Sequence, residues 1–153
     1  MPKTIEMVVS LKVPDTTAIT ALQTLQKLGF KKIKEVKRSE YYKFTIESDE
    51  VNFKDKISKV DILVNANKHF FDFSMKNDGN VKILVKNIND DGSGLLSTLK
   101  NRLGFDNIKK IERYTLWSLM IDAEAKDAKK IAEKSAQELL VNENYQEYTI
   151  DGG

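Results

Sequence analysis

The sequence contains no cysteine and a single histidine. Without thiols, disulfides, thiolate metal sites and cysteine nucleophiles are excluded. The one imidazole, His69, lies between Lys68 and Phe70 at the start of an expected strand. No triad accompanies it, so it reads as a solvent-edge or packing residue. Long apolar runs are also missing: nothing approaches the roughly 18 residues of a membrane span. The opening MPKTIEM lacks the apolar core of a signal peptide, so a cytoplasmic protein without a membrane partner is expected. No Walker-type loop, paired zinc-ligand spacing or nucleophile elbow occurs, and neither catalytic residues nor a metal or cofactor site is expected. Charge of one sign is scarce as well. The 25 basic and 23 acidic residues leave a net charge of +2, which gives no general electrostatic case for nucleic acid. The halves differ in sign, with 14 Lys/Arg against 10 Asp/Glu in residues 1–76 and 11 against 13 in residues 77–153.

What the sequence does have is a phrase said twice. LGFKKIKEVKRS starts at Leu28 and LGFDNIKKIERY at Leu103, 75 residues later in a chain of 153. That spacing points to two repeats, residues 1–76 and 77–153. In MVVSLKV, Met7, Val9, Leu11 and Val13 share one face, and in VKILVK so do Val81, Ile83 and Val85, the pattern of half-buried strands. Matching these faces pairs Val9 with Ile83 and Leu11 with Val85 at an offset of 74, with a one-residue insertion in the loop before the helix. Helical spacing follows at Ala18, Ala21, Leu22, Leu25 and Leu28, and at Leu95, Leu96, Leu99 and Leu103. Gly29 and Gly104 then suit the left-handed residue that stops a helix, with Phe30 and Phe105 as the accompanying apolar contact.

Downstream, YYKFTIE and LWSLMID read as strands with Tyr42/Trp117, Phe44/Leu119 and Ile46/Ile121 inward. The next helices bury Phe53, Ile57, Val60 and Val64, and Ala128, Ile131, Ser135 and Leu139. They end near Asn65 and Asn142 in LVNANKHFFDF and LVNENYQEYTI, which lead into final strands. Each half thus reads strand, helix, strand, strand, helix, strand. This is an α+β, ferredoxin-like (β-α-β-β-α-β) unit, with the joint KNDGN a tight turn. The terminal DGG reads as a loose end.

Of the basic cluster Lys31, Lys32, Lys34, Lys37 and Arg38, only Lys34 and Arg38 have counterparts, Lys109 and Arg113. These four either face solvent or cross a protein interface. On the far face of the same strands, Tyr41, Tyr114 and Leu116 are further interface candidates, while Tyr42 and Trp117 read as core. The loop NDDGSG precedes a helix, but Asp90 and Asp91 repel phosphate, and capping by Asp91 or Ser93 is the simpler reading.

The order VSLKV, an aspartate, a helix ending LGF, IKEVKRSEYYKFTIE, and a helix closing LVNxN before a last strand resembles PurS, the small subunit of the phosphoribosylformylglycinamidine synthase complex. LGFDNIKKIERY and ELLVNENYQEYTI carry the likeness best. The resemblance implies two tandem PurS-type repeats forming an intramolecular pseudo-dimer, where family members pair as separate chains. It also implies a non-catalytic role: bridging a glutaminase subunit, which releases ammonia, and a large ATP-dependent subunit, which uses it. Lys34, Arg38, Tyr41, Lys109, Arg113 and Tyr114 are then the expected partner interface, with further self-association allowed. Family members commonly carry a basic residue, any residue, then Gly-Lys at the strand junction. Here Lys37-Arg38-Ser39-Glu40 and Glu112-Arg113-Tyr114-Thr115 lack Gly-Lys. A second resemblance, of VKNINDDGSGLLSTLKNRLGFDNIKKI to the opening of an ACT domain, implies an amino-acid-sensing regulator instead.

Overall fold

A computed structural model describes residues 2–151. Along the chain run β1 (Lys3–Leu11), α1 (Thr16–Lys27), β2 (Ile33–Ile46), α2 (Glu50–Ile57), β3 (His69–Asp72), β4 (Val81–Asn87), α3 (Ser93–Leu103), β5 (Ile108–Ile121), α4 (Ala125–Ser135) and β6 (Gln146–Asp151). The strands form one antiparallel sheet in the order β3-β1-β2-β5-β4-β6. Of the terminal DGG, expected as a loose end, Asp151 is instead the last residue of β6 and stands opposite Lys82, while Gly152 and Gly153 lie outside the described residues.

The second and third strands expected in each half are one continuous strand of 14 residues, β2 or β5. The physical reason is in the missing glycine: Arg38-Ser39-Glu40 and Arg113-Tyr114-Thr115 hold no glycine, asparagine, aspartate or proline to set the special φ of a two-residue hairpin turn, so extended backbone carries on through the junction.

Two compact units emerge, and each draws on both halves of the sequence. Among the described residues, the first contains 2–13, Glu40–Met75 and Asn89–Arg113; the second contains Pro14–Ser39, Lys76–Ile88 and 114–151. In the first unit Ile5, Met7 and Val9 of β1 and Tyr42, Phe44 and Ile46 of β2 bury against Phe53 and Ile57 of α2, Leu99 of α3, and Ile108 and Ile111 of β5. Phe44 is the largest fully buried side chain there, a burial that stabilises by about 1.5–3 kcal/mol. In the second unit Ala18, Ala21 and Leu25 of α1 bury against Val81, Ile83 and Val85 of β4, Trp117 and Leu119 of β5, and Ala128 and Ala132 of α4. Helix α1 thus shares a core with strand β4, whereas β1, the strand that precedes it, belongs to the other core.

Strand register corrects the expected alignment of the halves. Met7 stands opposite Tyr42 in β1–β2, and Ile83 stands opposite Trp117 in β4–β5. The equivalent strand positions are therefore 76 apart, two more than alternation alone suggested, because a period of two cannot detect a slip of two. Leu11 and Val13, expected inward, pass the end of the covered sheet and are exposed.

Both Leu-Gly-Phe stops behave as the chemistry requires. Gly29 and Gly104 have φ of 105° and 74°, and the following Phe N–H groups bond back to Leu25 and Leu99 carbonyls at 3.0 Å each. One residue more separates the partners in α3 than in α1, yet with strands 76 apart and Leu-Gly-Phe 75 apart the second half is a residue shorter between the two, so the insertion expected in its loop gives way to a net deletion across loop and helix. LVNxN also acquires a reason: Asn65 Oδ1 accepts the Asn67 N–H at 3.0 Å and Asn142 Oδ1 the Asn144 N–H at 3.1 Å. His69 Nδ1 accepts the Asn65 N–H at 3.0 Å, a task done in the second half by Gln146 Oε1 on Asn142 at 2.9 Å.

The helices leading into these turns differ from expectation. Helix α2 stops at Ile57 and Val60 and Val64 are buried from the turns that follow. Helix α4 widens into a π-turn over Ala136–Leu140. Because a π-turn holds one extra residue, the inward stripe moves on to Ala136 and Leu140, and Leu139, expected inside, is exposed.

Candidate partner-binding surface

In the second unit, Asp15 caps α1 by accepting the Thr17 and Ala18 N–H groups at 3.0 and 3.3 Å. The same carboxylate receives Arg38 in a two-pronged contact, Nε at 3.0 Å and a terminal nitrogen at 3.2 Å. This charge-assisted fork ties the start of α1 to β2 and commits Arg38 internally. Lys34 is exposed and donates to the Lys31 carbonyl at 3.0 Å. Tyr114 is half-buried, with the Lys86 ammonium 5.9 Å from its ring centre.

In the first unit, Tyr41 is 2% exposed and donates its hydroxyl to Glu6. Lys109 is exposed and pairs with Glu47 at 3.4 Å across β2 and β5. Arg113 lies over the face of Tyr42, 5.9 Å from the centroid. Burial pushes the Tyr42 hydroxyl above its ordinary pKa, Arg113 works against that shift, and Glu40 adds to it. The six candidates therefore fall three to each unit. Only Lys34, Lys109 and Arg113 present exposed charge, while Arg38 and Tyr41 are engaged in the fold.

The loop before α3 leaves no room for an anion. Asp90 accepts the Gly92 N–H and Asp91 the Ser93 N–H, both at 3.0 Å, so the donors a phosphate would use are already taken. Gly92 is needed for packing: a Cβ there would meet the Ile111 carbonyl oxygen at 2.1 Å.

Sequence reasoning missed two concavities. The first unit has a cleft of about 560 Å³ with Phe53 and Phe105 in its floor and Lys56, Ile62, Leu103 and Asn107 around it. The second has a trough of about 410 Å³ between threonines 16, 20 and 24 of α1 and Trp117, closed by Leu139. The only hint in the sequence was threonine recurring every fourth residue where apolar side chains were sought. Among the described residues no group of three His, Cys, Asp or Glu side chains is placed to hold a metal ion. No helix of the described residues is long and apolar enough to cross a membrane.

A mixed α+β chain, with one antiparallel six-stranded sheet and four α-helices among the described residues, is thus the frame on which these surfaces stand. The family model of PurS, phosphoribosylformylglycinamidine (FGAM) synthase, matches residues 80–152. The match ties this stretch to FGAM synthase and so to purine biosynthesis. Comparison with curated proteins finds no match.

Proposed function

We propose that the chain is a non-catalytic assembly subunit of the FGAM synthase complex in the cytoplasm, built from two PurS-like repeats, residues 1–76 and 77–153, that form a pseudo-dimer within one molecule. The observation that carries the reading is the PurS match over 80–152. Supporting it, the first half repeats the same devices: a Leu-Gly-Phe stop, a 14-residue strand, and an Asn-x-Asn turn closed by the first residue of the last strand. The subunit bridges the large ATP-dependent synthase and the glutaminase. Lys34, Lys109 and Arg113 are the contact residues best placed for this, with Arg38, Tyr41 and Tyr114 shaping the strands beneath them.

The test is co-purification of the tagged chain with the large and glutaminase subunits in the presence of glutamine and ADP. A ternary complex is expected, weakened when Lys34 and Lys109 are both changed to Glu. Recovery of neither subunit would refute the proposal.

A further inference from the structure

We infer that the outer edge of β3 is a self-pairing surface, joining two copies of the chain by antiparallel strand addition centred on Phe70. Strand β3 is an end strand of the sheet, so one of its edges meets no neighbour among the described residues. Natural edges are usually blunted by charge, bulge or proline. This one instead shows Phe70 and Phe71, 46% and 41% exposed.

The direction of the main-chain groups fixes what the edge accepts. Lys12 N–H donates to the Lys68 carbonyl at 2.8 Å, and Ser10 and Val8 face Phe70 and Asp72. Lys68, Phe70 and Asp72 therefore turn their peptide groups toward β1, and His69 and Phe71 turn theirs outward. The His69 N–H is already used by the Asn65 carbonyl at 2.8 Å. The His69 carbonyl and the Phe71 N–H are left for a partner strand.

A second copy satisfies this set. In the register that places Phe70 opposite the partner's Phe70, each Phe71 N–H meets the partner's His69 carbonyl, giving two reciprocal bonds. Phe70 shares a face with Val8 and Ser10, opposite the buried Ile5, Met7 and Val9, so the two rings meet on the side of β1 turned away from its core. In the same register Lys68 stands opposite the partner's Asp72, twice by symmetry. Opposite charges across a strand pair attract, and an isologous contact of this kind closes at two copies. The edge strand β6 behaves differently. Glu147, Thr149 and Asp151 lie on one face of it, opposite Lys86, Leu84 and Lys82 of β4. The analogous register about Thr149 sets Glu147 against the partner's Asp151, carboxylate against carboxylate, and that edge repels its own copy.

Sedimentation velocity of the full chain from micromolar to millimolar concentration tests the inference. A concentration-dependent dimer is expected. Lys68→Glu, which changes a side chain without an internal partner among the described residues, is expected to weaken it by about tenfold, two cross-strand pairs turning from attraction to repulsion. The double change Lys68→Glu with Asp72→Lys restores the original constant, and Phe70→Ser abolishes the dimer with far-UV circular dichroism unchanged. A chain that stays monomeric throughout, or a dimer indifferent to Lys68→Glu, overturns the proposal.

Discussion

Gly92→Ala places a methyl group where the structure has no space for it. Gly92 has a φ of 77°, and the added Cβ would stand 2.1 Å from the Ile111 carbonyl oxygen and 3.0 Å from its carbon. Two costs add. A left-handed non-glycine residue is worth about 1–2 kcal/mol, and forcing atoms into a packed site about 1–3 kcal/mol more. The obstacle is backbone of a central strand, so relief requires the start of α3 to lift rather than a side chain to turn. The same helix provides controls. Gly104 has a φ of 74° but nothing within 4 Å of its Cβ position, so Gly104→Ala carries the backbone cost alone, about 1–2 kcal/mol. Gly94 has open space and no positive φ, so Gly94→Ala should stabilise by about 0.5–1 kcal/mol. Urea denaturation of the three variants, compared at a common slope, reads the differences. The expected order is Gly94→Ala above wild type, then Gly104→Ala, then Gly92→Ala lowest. If Gly92→Ala costs no more than Gly104→Ala, the close approach of α3 to β5 is wrong.

Two titrations follow from other contacts. Of five tyrosines, Tyr42 should ionise above the ordinary range, because burial favours its neutral form over the opposing pull of Arg113. Stability associated with it is complete at neutral pH and falls as pH rises beyond about 10, since the unfolded chain releases that proton first. Ultraviolet difference titration should lose one tyrosine from its late component in Tyr42→Phe, and move that tyrosine's step later still in Arg113→Gln. At the joint, burial opposes the Asp78 carboxylate, but the Lys82 ammonium at 2.6 Å and the Asn80 N–H outweigh it and hold its pKa below the usual value. Its stabilisation is present at neutral pH and is lost as pH falls through that lowered pKa. Asp78→Asn should flatten the acid limb of the stability curve by less than about 1 kcal/mol, because Asp78 is 36% exposed and screened by water. A steeper acid limb in Asp78→Asn would contradict the assignment.

Period and punctuation were legible in the sequence wherever one face is buried. Val81, Ile83 and Val85, Tyr42 and Trp117, and the helix stops at Gly29 and Gly104 all stand as their patterns required. What periodicity does not carry is the identity of the partner. The stripe Ala18, Ala21, Leu25 announces an apolar face without saying that Val81 and Ile83 will cover it. Nor does alternation reveal that a strand runs on through Ser39, or that a π-turn advances the inward position from Leu139 to Leu140. The candidate surface was legible only as charge. Lys34 and Lys109 are exposed, one of the two placements left open for them, but Arg38 meets Asp15, 23 residues earlier, a pairing that local pattern cannot show.

Cores that interleave the two halves also set a schedule for synthesis on the ribosome. The first unit is incomplete until Ile108 and Ile111 have emerged, and the second waits for Ala128 and Leu140. At about 5–20 residues per second, Met7 and Phe44 spend seconds uncovered before their last neighbours arrive. The chain therefore gains little from folding as it is made, and its collapse is a late event dominated by contacts distant in sequence. A stalled or truncated chain ending near residue 76 would hold two unfinished cores, a natural substrate for chaperones and proteases.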